Sequence, residues 1–167
     1  MFSYQSQISD VLKEVKIFTP DKFTDYRGTM WTYWEESMDT PPQKISKFTH
    51  SRKNVLRGLH GDNETWKHIT CVYGAFYLVV VDYRKDSPTY LKWDSWTLDD
   101  KNCKSVLVPP GYLNGHLCLT EECVFHYTQS YPNQYVDYQD QITEKWNDPM
   151  LKINWPINNP ILSERDK

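Results

Sequence analysis

The sequence predicts an all-β domain, a sandwich or barrel of short strands, on three observations. Aromatic residues make up 15% of the chain, with 12 Tyr, 7 Trp and 6 Phe; such side chains favour strands and bury large areas. Short apolar or β-branched runs recur along the chain, each bounded by polar turn residues. Helical periodicity is confined to residues 9–15 and a turn near residues 139–145. The 167 residues form a single domain over residues 1–167, long enough for a real core and too short for two ordinary domains.

Taken in order, residues 15–19 and 29–34 read as strands near the N-terminus. Ala75-Phe-Tyr-Leu-Val-Val-Val-Asp82 follows the turn residue Gly74 and reads as a strand buried on both faces. Residues 90–98 are rich in aromatics and Thr and end at the hairpin turn Asp99-Asp-Lys-Asn102. Residues 105–108 stop at Pro109-Pro-Gly111, and residues 117–119 and 124–131 complete the series. Many short strands at this spacing suit a jelly roll, which closes or protects sheet edges.

Bulk properties exclude several classes. Hydrophobic residues are 39% and charged residues 25%, an ordinary globular balance, and the net charge of −3 gives no general nucleic-acid surface. The longest uniformly apolar run, residues 75–81, is far too short to cross a membrane. The start of the chain lacks a basic region followed by an apolar one, so no signal peptide is expected. Cys71, Cys103, Cys118 and Cys123 form no C-x-x-C pair, which suits reduced thiols in a cytoplasmic protein. There is no internal repeat, G-x-G-x-x-G or P-loop.

Three clusters can carry chemistry: Arg57-Gly-Leu-His60 with Lys67, then Pro109-Pro-Gly-Tyr-Leu-Asn-Gly-His116, then Tyr127 with the C-terminal Leu162-Ser-Glu-Arg-Asp166. Small barrels of the cupin type bind metal through H-x-H and P-x-G-x-x-H. Here those positions read His60-Gly-Asp62 and Asn114, and losing two of three imidazoles leaves a poor metal site. A dry pocket without metal still suits acid–base work. His60 is the natural proton acceptor, and Asp166 is one candidate to orient it, although sequence spacing alone does not pick it. Lys67 and Arg57 can face an enolate oxygen, and Tyr127 can return a proton from the opposite face. Plainer roles compete: a hydrogen-bonded structural histidine, an Arg-Gly turn, a core tyrosine. A sugar-binding module with aromatic stacking platforms and a metal-dependent cupin are the other classes open at this point.

The order of motifs resembles the dTDP-4-dehydrorhamnose 3,5-epimerase family over nearly the whole chain. Phe23-Thr-Asp-Tyr-Arg-Gly28 is similar to its F-x-D-x-R-G, and Val55-Leu-Arg-Gly-Leu-His60 to its V-L-R-G-L-H. Lys67, Val72-Tyr-Gly74, Val81-Asp-Tyr-Arg84, Ser87-Pro-Thr89, Val108-Pro-Pro-Gly-Tyr112, Trp146-Asn-Asp-Pro149, Trp155-Pro156 and the closing Leu162-Ser-Glu-Arg-Asp166 follow in its order. The resemblance implies a cupin jelly roll (a double-stranded β-helix) with short flanking helices, a homodimer, and no metal or other cofactor. It assigns His60 as base, Asp166 as its dyad partner, Lys67 beside the enolate and Tyr127 as opposite-face acid. Arg27 and Arg57 fall where the family binds its nucleotide-linked sugar, which suits guanidinium contacts to pyrophosphate.

Two places depart from the rhamnose pattern: Tyr112-Leu-Asn-Gly-His116 stands where F-A-H-G-F is usual, and Gly61-Asp62 where Tyr-Gln is usual. These look more like the epimerases of Campylobacter-type capsular heptose pathways. They shift the expected substrate to a GDP-linked 4-keto-heptose, with Asn114 and His116 among its contacts and Gly61 making room for a longer sugar. A dTDP-4-keto-6-deoxyhexose is the alternative, and inversion at C3 alone or at C3 and C5 stays open.

Overall fold

The computed structural model describes residues 3–167. Thirteen strands run in chain order: β1 Tyr4–Ile8, β2 Lys16–Pro20, β3 Lys22–Asp25, β4 Gly28–Trp31, β5 Ile45–Arg52, β6 Leu56–Gly61, β7 Trp66–Tyr73, β8 Ala75–Asp82, β9 Trp93–Asp99, β10 Ser105–Val108, β11 Tyr112–Cys118, β12 Glu122–Ser130 and β13 Ile142–Thr143. Six form one sheet, in the order β1-β2-β10-β7-β12-β5, and five form a second, β13-β6-β11-β8-β9. All pairings within them are antiparallel. The β3–β4 hairpin pairs with neither sheet.

The two sheets face each other over the main core. Ile17, Ile69, Cys71, Val106 and Phe125 come from one side, and Phe76, Leu78, Val80, Leu98 and Tyr112 from the other. Each sheet also carries a covered outer face. Val79, Val81, Leu59 and Leu113 pack under the C-terminal segment through Leu151, Ile153 and Trp155. Phe18 and Leu107 pack under Met38 and Trp34. This three-layer burial explains why β8 is apolar on both faces, as its sequence predicts. All four cysteines are buried and unpaired.

The expected helices are absent among the described residues, apart from a 3-10 turn at Glu164–Asp166. Residues 9–15 instead form a tight loop. Ser9 Oγ accepts from the Val11 and Leu12 amides, at 3.2 and 2.9 Å, and the Ser9 amide donates to the Val15 carbonyl at 2.9 Å. A serine hydroxyl that satisfies two amides offers the chain an alternative to helix. Leu12 and Val15 reach the core from this loop, which is what mimicked helical spacing. The turn expected near residues 139–145 contains β13, whose Ile142 and Thr143 pair with Gly61 and His60. β11 is also longer than the stretch read at 117–119, and strands β5, β6 and β7 come from segments without a clear apolar signal. No helix among the described residues is long and apolar enough to cross a membrane.

Candidate active site

Arg57 and His60 are three residues apart, and a regular strand would send them to opposite faces. A bulge corrects this. Asn114 pairs with His60 and His116 with Arg57, so two steps along β11 match three along β6, and the extra residue brings both side chains to the interior. Gly58 makes the bulge possible: its φ is +122°, and a Cβ there would lie 2.5 Å from Gly115 Cα and 2.7 Å from the Asn114 carbonyl oxygen. On β11 the ordinary alternation turns Tyr112, Asn114, His116 and Cys118 inward. On β12 it does the same for Phe125 and Tyr127.

These residues surround a cavity of about 120 Å³ lined by Thr49, Arg57, His60, Lys67, Asn114, His116, Phe125, Tyr127 and Gln141. His60 Nε2 lies 2.7 Å from Asp166 Oδ1. The contact is direct, and it becomes an ion pair when the imidazole takes up a proton. The C-terminal tail delivers Asp166 by bridging to β6, with the Leu56 amide donating to the Ile161 carbonyl at 3.0 Å. Asp166 is 4% exposed, and Ser163 Oγ donates to its Oδ2 at 2.8 Å. Burial alone would raise its carboxyl, but the contacts from His60, Ser163 and the Gly58 amide hold it below the ordinary value. With Nε2 facing the carboxylate, Nδ1 is the nitrogen left to accept a proton.

Lys67, on β7, is 7% exposed. Its Nζ donates to Asn114 Oδ1 at 2.9 Å and to the His60 carbonyl at 3.2 Å. Burial pushes its ammonium down to about 8, opposed by the charge of Asp62 and assisted by Arg165 and Lys47. Arg57 Nε donates to Ser51 Oγ at 3.0 Å. His116 stacks on Phe125 with ring centroids 4.1 Å apart and planes 14° from parallel. Burial, with the nearby Arg57 charge, drives its imidazole down to about 3, so it is neutral at pH 7. Burial raises the Tyr127 phenol above its ordinary value, against the pull of Lys47, which keeps it protonated at neutral pH.

Seven of the eight residues singled out from the sequence therefore converge: His60, Lys67, Asp166, Tyr127, Arg57, Asn114 and His116. Arg27 does not join them. It lies at the tip of the β3–β4 hairpin, bound to Asp25 with Nη2 2.6 Å from Oδ2, outside this cavity. Gly61 does not enlarge the pocket either. A Cβ at that position would come within 2.1 Å of the Tyr112 carbonyl oxygen and 2.9 Å of Leu113 Cδ2, so glycine there permits the close approach of β6 and β11. The two altered metal-motif positions are engaged elsewhere. Asn114 holds Lys67, and Asp62 Oδ1 accepts from the Glu64 and Thr65 amides at 2.9 and 2.7 Å. Among the described residues no group of three metal-ligating side chains gathers. Thr49, Phe125, Gln141 and nearby Lys47, the cross-strand partner of Tyr127, were not singled out from the sequence. The only signal for the β5 residues is the alternation Ile45, Lys47, Thr49, Ser51.

A base paired with a carboxylate, a buried ammonium and a protonated phenol around one small cavity can remove and return a proton on a carbon beside a carbonyl. Known proteins resemble this chain in sequence and fold. Residues 9–167 match the dTDP-4-dehydrorhamnose 3,5-epimerase family. The dTDP-4-dehydrorhamnose 3,5-epimerase of Shigella flexneri is 33% identical over 97% of this chain and 91% of its own. The dTDP-6-deoxy-D-glucose-3,5-epimerase of Legionella pneumophila, solved with dTDP-4-keto-L-rhamnose, superposes with a TM-score of 0.89 at 26% identity, over 99% of this chain and 90% of that one. A 3'-monoepimerase from Streptomyces bikiniensis, solved with dTDP-quinovose, gives a TM-score of 0.86 at 27% identity, over 95% and 83%. Fold, motif order and relatives thus agree, and the chain belongs to the dTDP-4-dehydrorhamnose 3,5-epimerase family.

Proposed function

We propose that this protein epimerises a dTDP-linked 4-keto-6-deoxyhexose at C3 and C5, without a cofactor. The observation that carries the reading is the convergence of the His60–Asp166 pair, Lys67 and Tyr127 on one cavity. His60 Nδ1 takes the proton from the carbon beside the C4 ketone. The C–H electron pair moves onto the ketone oxygen, where the Lys67 ammonium meets the enolate charge. Asp166 stabilises the imidazolium. Tyr127 returns a proton to the other face, and solvent restores its phenol. Arg57, Asn114 and His116 contact the sugar-nucleotide.

The cavity of about 120 Å³ is below the roughly 300–1,000 Å³ of ordinary ligand clefts. It suits one sugar ring, leaving the nucleotide at the mouth. The hairpin tip supports a homodimer that completes this mouth: Tyr26 is 97% exposed, with Phe23 and Met30 also exposed beside Arg27. In this reading Arg27 reaches the phosphates in the partner's site.

The dTDP-hexose is favoured over a GDP-4-keto-heptose because the relatives named above are dTDP-sugar epimerases or are solved with dTDP-sugars, and because Gly61 faces Tyr112 rather than sugar. The departures at Asn114 and His116 keep the heptose as the second substrate to try. Proton NMR in deuterium oxide with both nucleotide-sugars is the test. Deuterium should enter at C3 and C5 of the dTDP-sugar, and be lost in His60→Asn. Absence of exchange from every nucleotide-linked 4-keto sugar would sink the epimerase reading, and exchange at C3 alone would confine it to one carbon. Tyr127→Phe should impair inversion more than deuterium uptake. Sedimentation should show a dimer.

A further inference from the structure

Lys67 is a buried cation that no carboxylate pairs with among the described residues. Its only side-chain acceptor there is the neutral amide oxygen of Asn114, at 2.9 Å, with the His60 carbonyl second at 3.2 Å. An ammonium has three donors, so one N–H is left over. The titratable and charged groups acting on Lys67 are Asp62 at the β6–β7 turn, Arg165 in the C-terminal tail and Lys47 on β5. Asp62, the one acid of these, spends Oδ1 on the Glu64 and Thr65 amides. Asn114 is itself almost fully buried, 9% exposed, and opposite His60 in the β6–β11 register.

We propose that Asn114 is a positioning residue: it fixes the Lys67 ammonium with a neutral acceptor, so that the cation keeps its charge for the oxyanion formed beside it. The proposal rests on the epimerase reading and deepens it. A carboxylate in the same place would hold Nζ equally well but offset its charge, weakening its pull on an enolate. An apolar side chain would leave a buried N–H without a partner, favouring the neutral amine. The amide avoids both. Its own N–H₂ makes no hydrogen bond within the described residues, leaving it for a substrate oxygen.

The test compares the full-length protein with Asn114→Asp and Asn114→Leu, in two measurements. The first is an NMR titration of the Lys67 ammonium without substrate, with its signal assigned through Lys67→Met. Asn114→Asp should raise the midpoint by about one unit or more, as a new opposite charge does, and Asn114→Leu should lower it. The second is deuterium exchange into the dTDP-4-keto sugar against pH. The alkaline limb should follow the midpoint in each variant, and exchange at pH 7 should fall about tenfold or more in both. A midpoint unchanged in Asn114→Asp, or a limb that ignores the midpoint, overturns the proposal. So does a shift of both variants in the same direction, which is what a loosened pocket would give. Should Asn114→Leu fail to fold, the isosteric Asn114→Asp decides alone. Wild-type protein that exchanges with no 4-keto sugar would refute the epimerase reading, while the titration would still decide what Asn114 does to Lys67.

Discussion

Replacing His116 by Phe should make the fold less sensitive to acid. His116 is 4% exposed, its Nε2 has no hydrogen-bond partner, and its imidazole is driven to about 3 from 6.5. A histidine with a depressed folded-state value binds its proton more readily when unfolded. Stability is therefore full above pH 6.5 and drains away as pH falls from 6.5 toward 3. At pH 5 the unfolded imidazole is nearly all protonated and the folded one nearly all neutral, so this residue alone withdraws about 2 kcal/mol. The same figure follows for any folded-state value at or below about 4, because only the unfolded ring titrates above pH 5. Phe at 116 keeps the stack on Phe125, 4.1 Å between ring centroids, and removes the titration. Urea unfolding at pH 7.5 and 5.0, at one protein concentration, reads the difference. Wild type should lose about 2 kcal/mol more than His116→Phe between the two pH values. His68, driven to about 3 by burial, should leave the variant a residual loss. Equal losses in the two proteins would refute the reasoning.

Three further substitutions separate chemistry from scaffold. Asp166→Asn keeps the shape of the tail but removes the charge facing His60; exchange should fall by about 10²–10⁴-fold with the urea midpoint shifted far less. Gly58→Ala places a Cβ 2.5 Å from Gly115 Cα at a φ of +122°, so it should cost about 2–4 kcal/mol and misplace His60; an unchanged unfolding midpoint would contradict the bulge argument. Asp82→Asn removes a fully buried charge and should cost about 3–5 kcal/mol, and exchange per folded molecule, measured below the unfolding transition, should also fall because the end of β11 loosens.

The strands easiest to read in the sequence are those that carry no side chain of the cavity. β8 announces itself because both of its faces are apolar, and β10 because Ser105-Val-Leu-Val108 is buried throughout. β5, β6 and β7 carry Lys47, Thr49, Arg57, His60 and Lys67 toward the interior, so the alternation that normally marks a strand is masked by the functional residues themselves. The bulge is equally hidden. Nothing in Arg57-Gly-Leu-His60 says that residues three apart share a face until Gly58 is seen against Gly115. Asp166 could be named only by resemblance, because the pairing of Ile161 beside β6 joins distant parts of the chain.

Family motifs also divide by what their residues touch. Val81-Asp-Tyr-Arg84 and Ser87-Pro-Thr89 resemble the family as clearly as Arg57-Gly-Leu-His60 does, yet they build no part of the cavity. Asp82 accepts from Arg84 Nε and Nη2 at 2.9 and 2.8 Å, from Ser87 Oγ at 2.5 Å and from Thr89 Oγ1 at 2.6 Å. Arg84 in turn lies 4.4 Å over the ring of Tyr112. Tyr112 opens β11, two residues before Asn114, so this network pins the end of the strand that carries Asn114 and His116. A buried charge satisfied by four side-chain donors and the Arg84 amide gives a rigid corner, and the active side chains two and four residues along inherit its position. Two motifs far apart in sequence therefore serve one geometry, one by touching the cavity and the other by fixing the strand that reaches it.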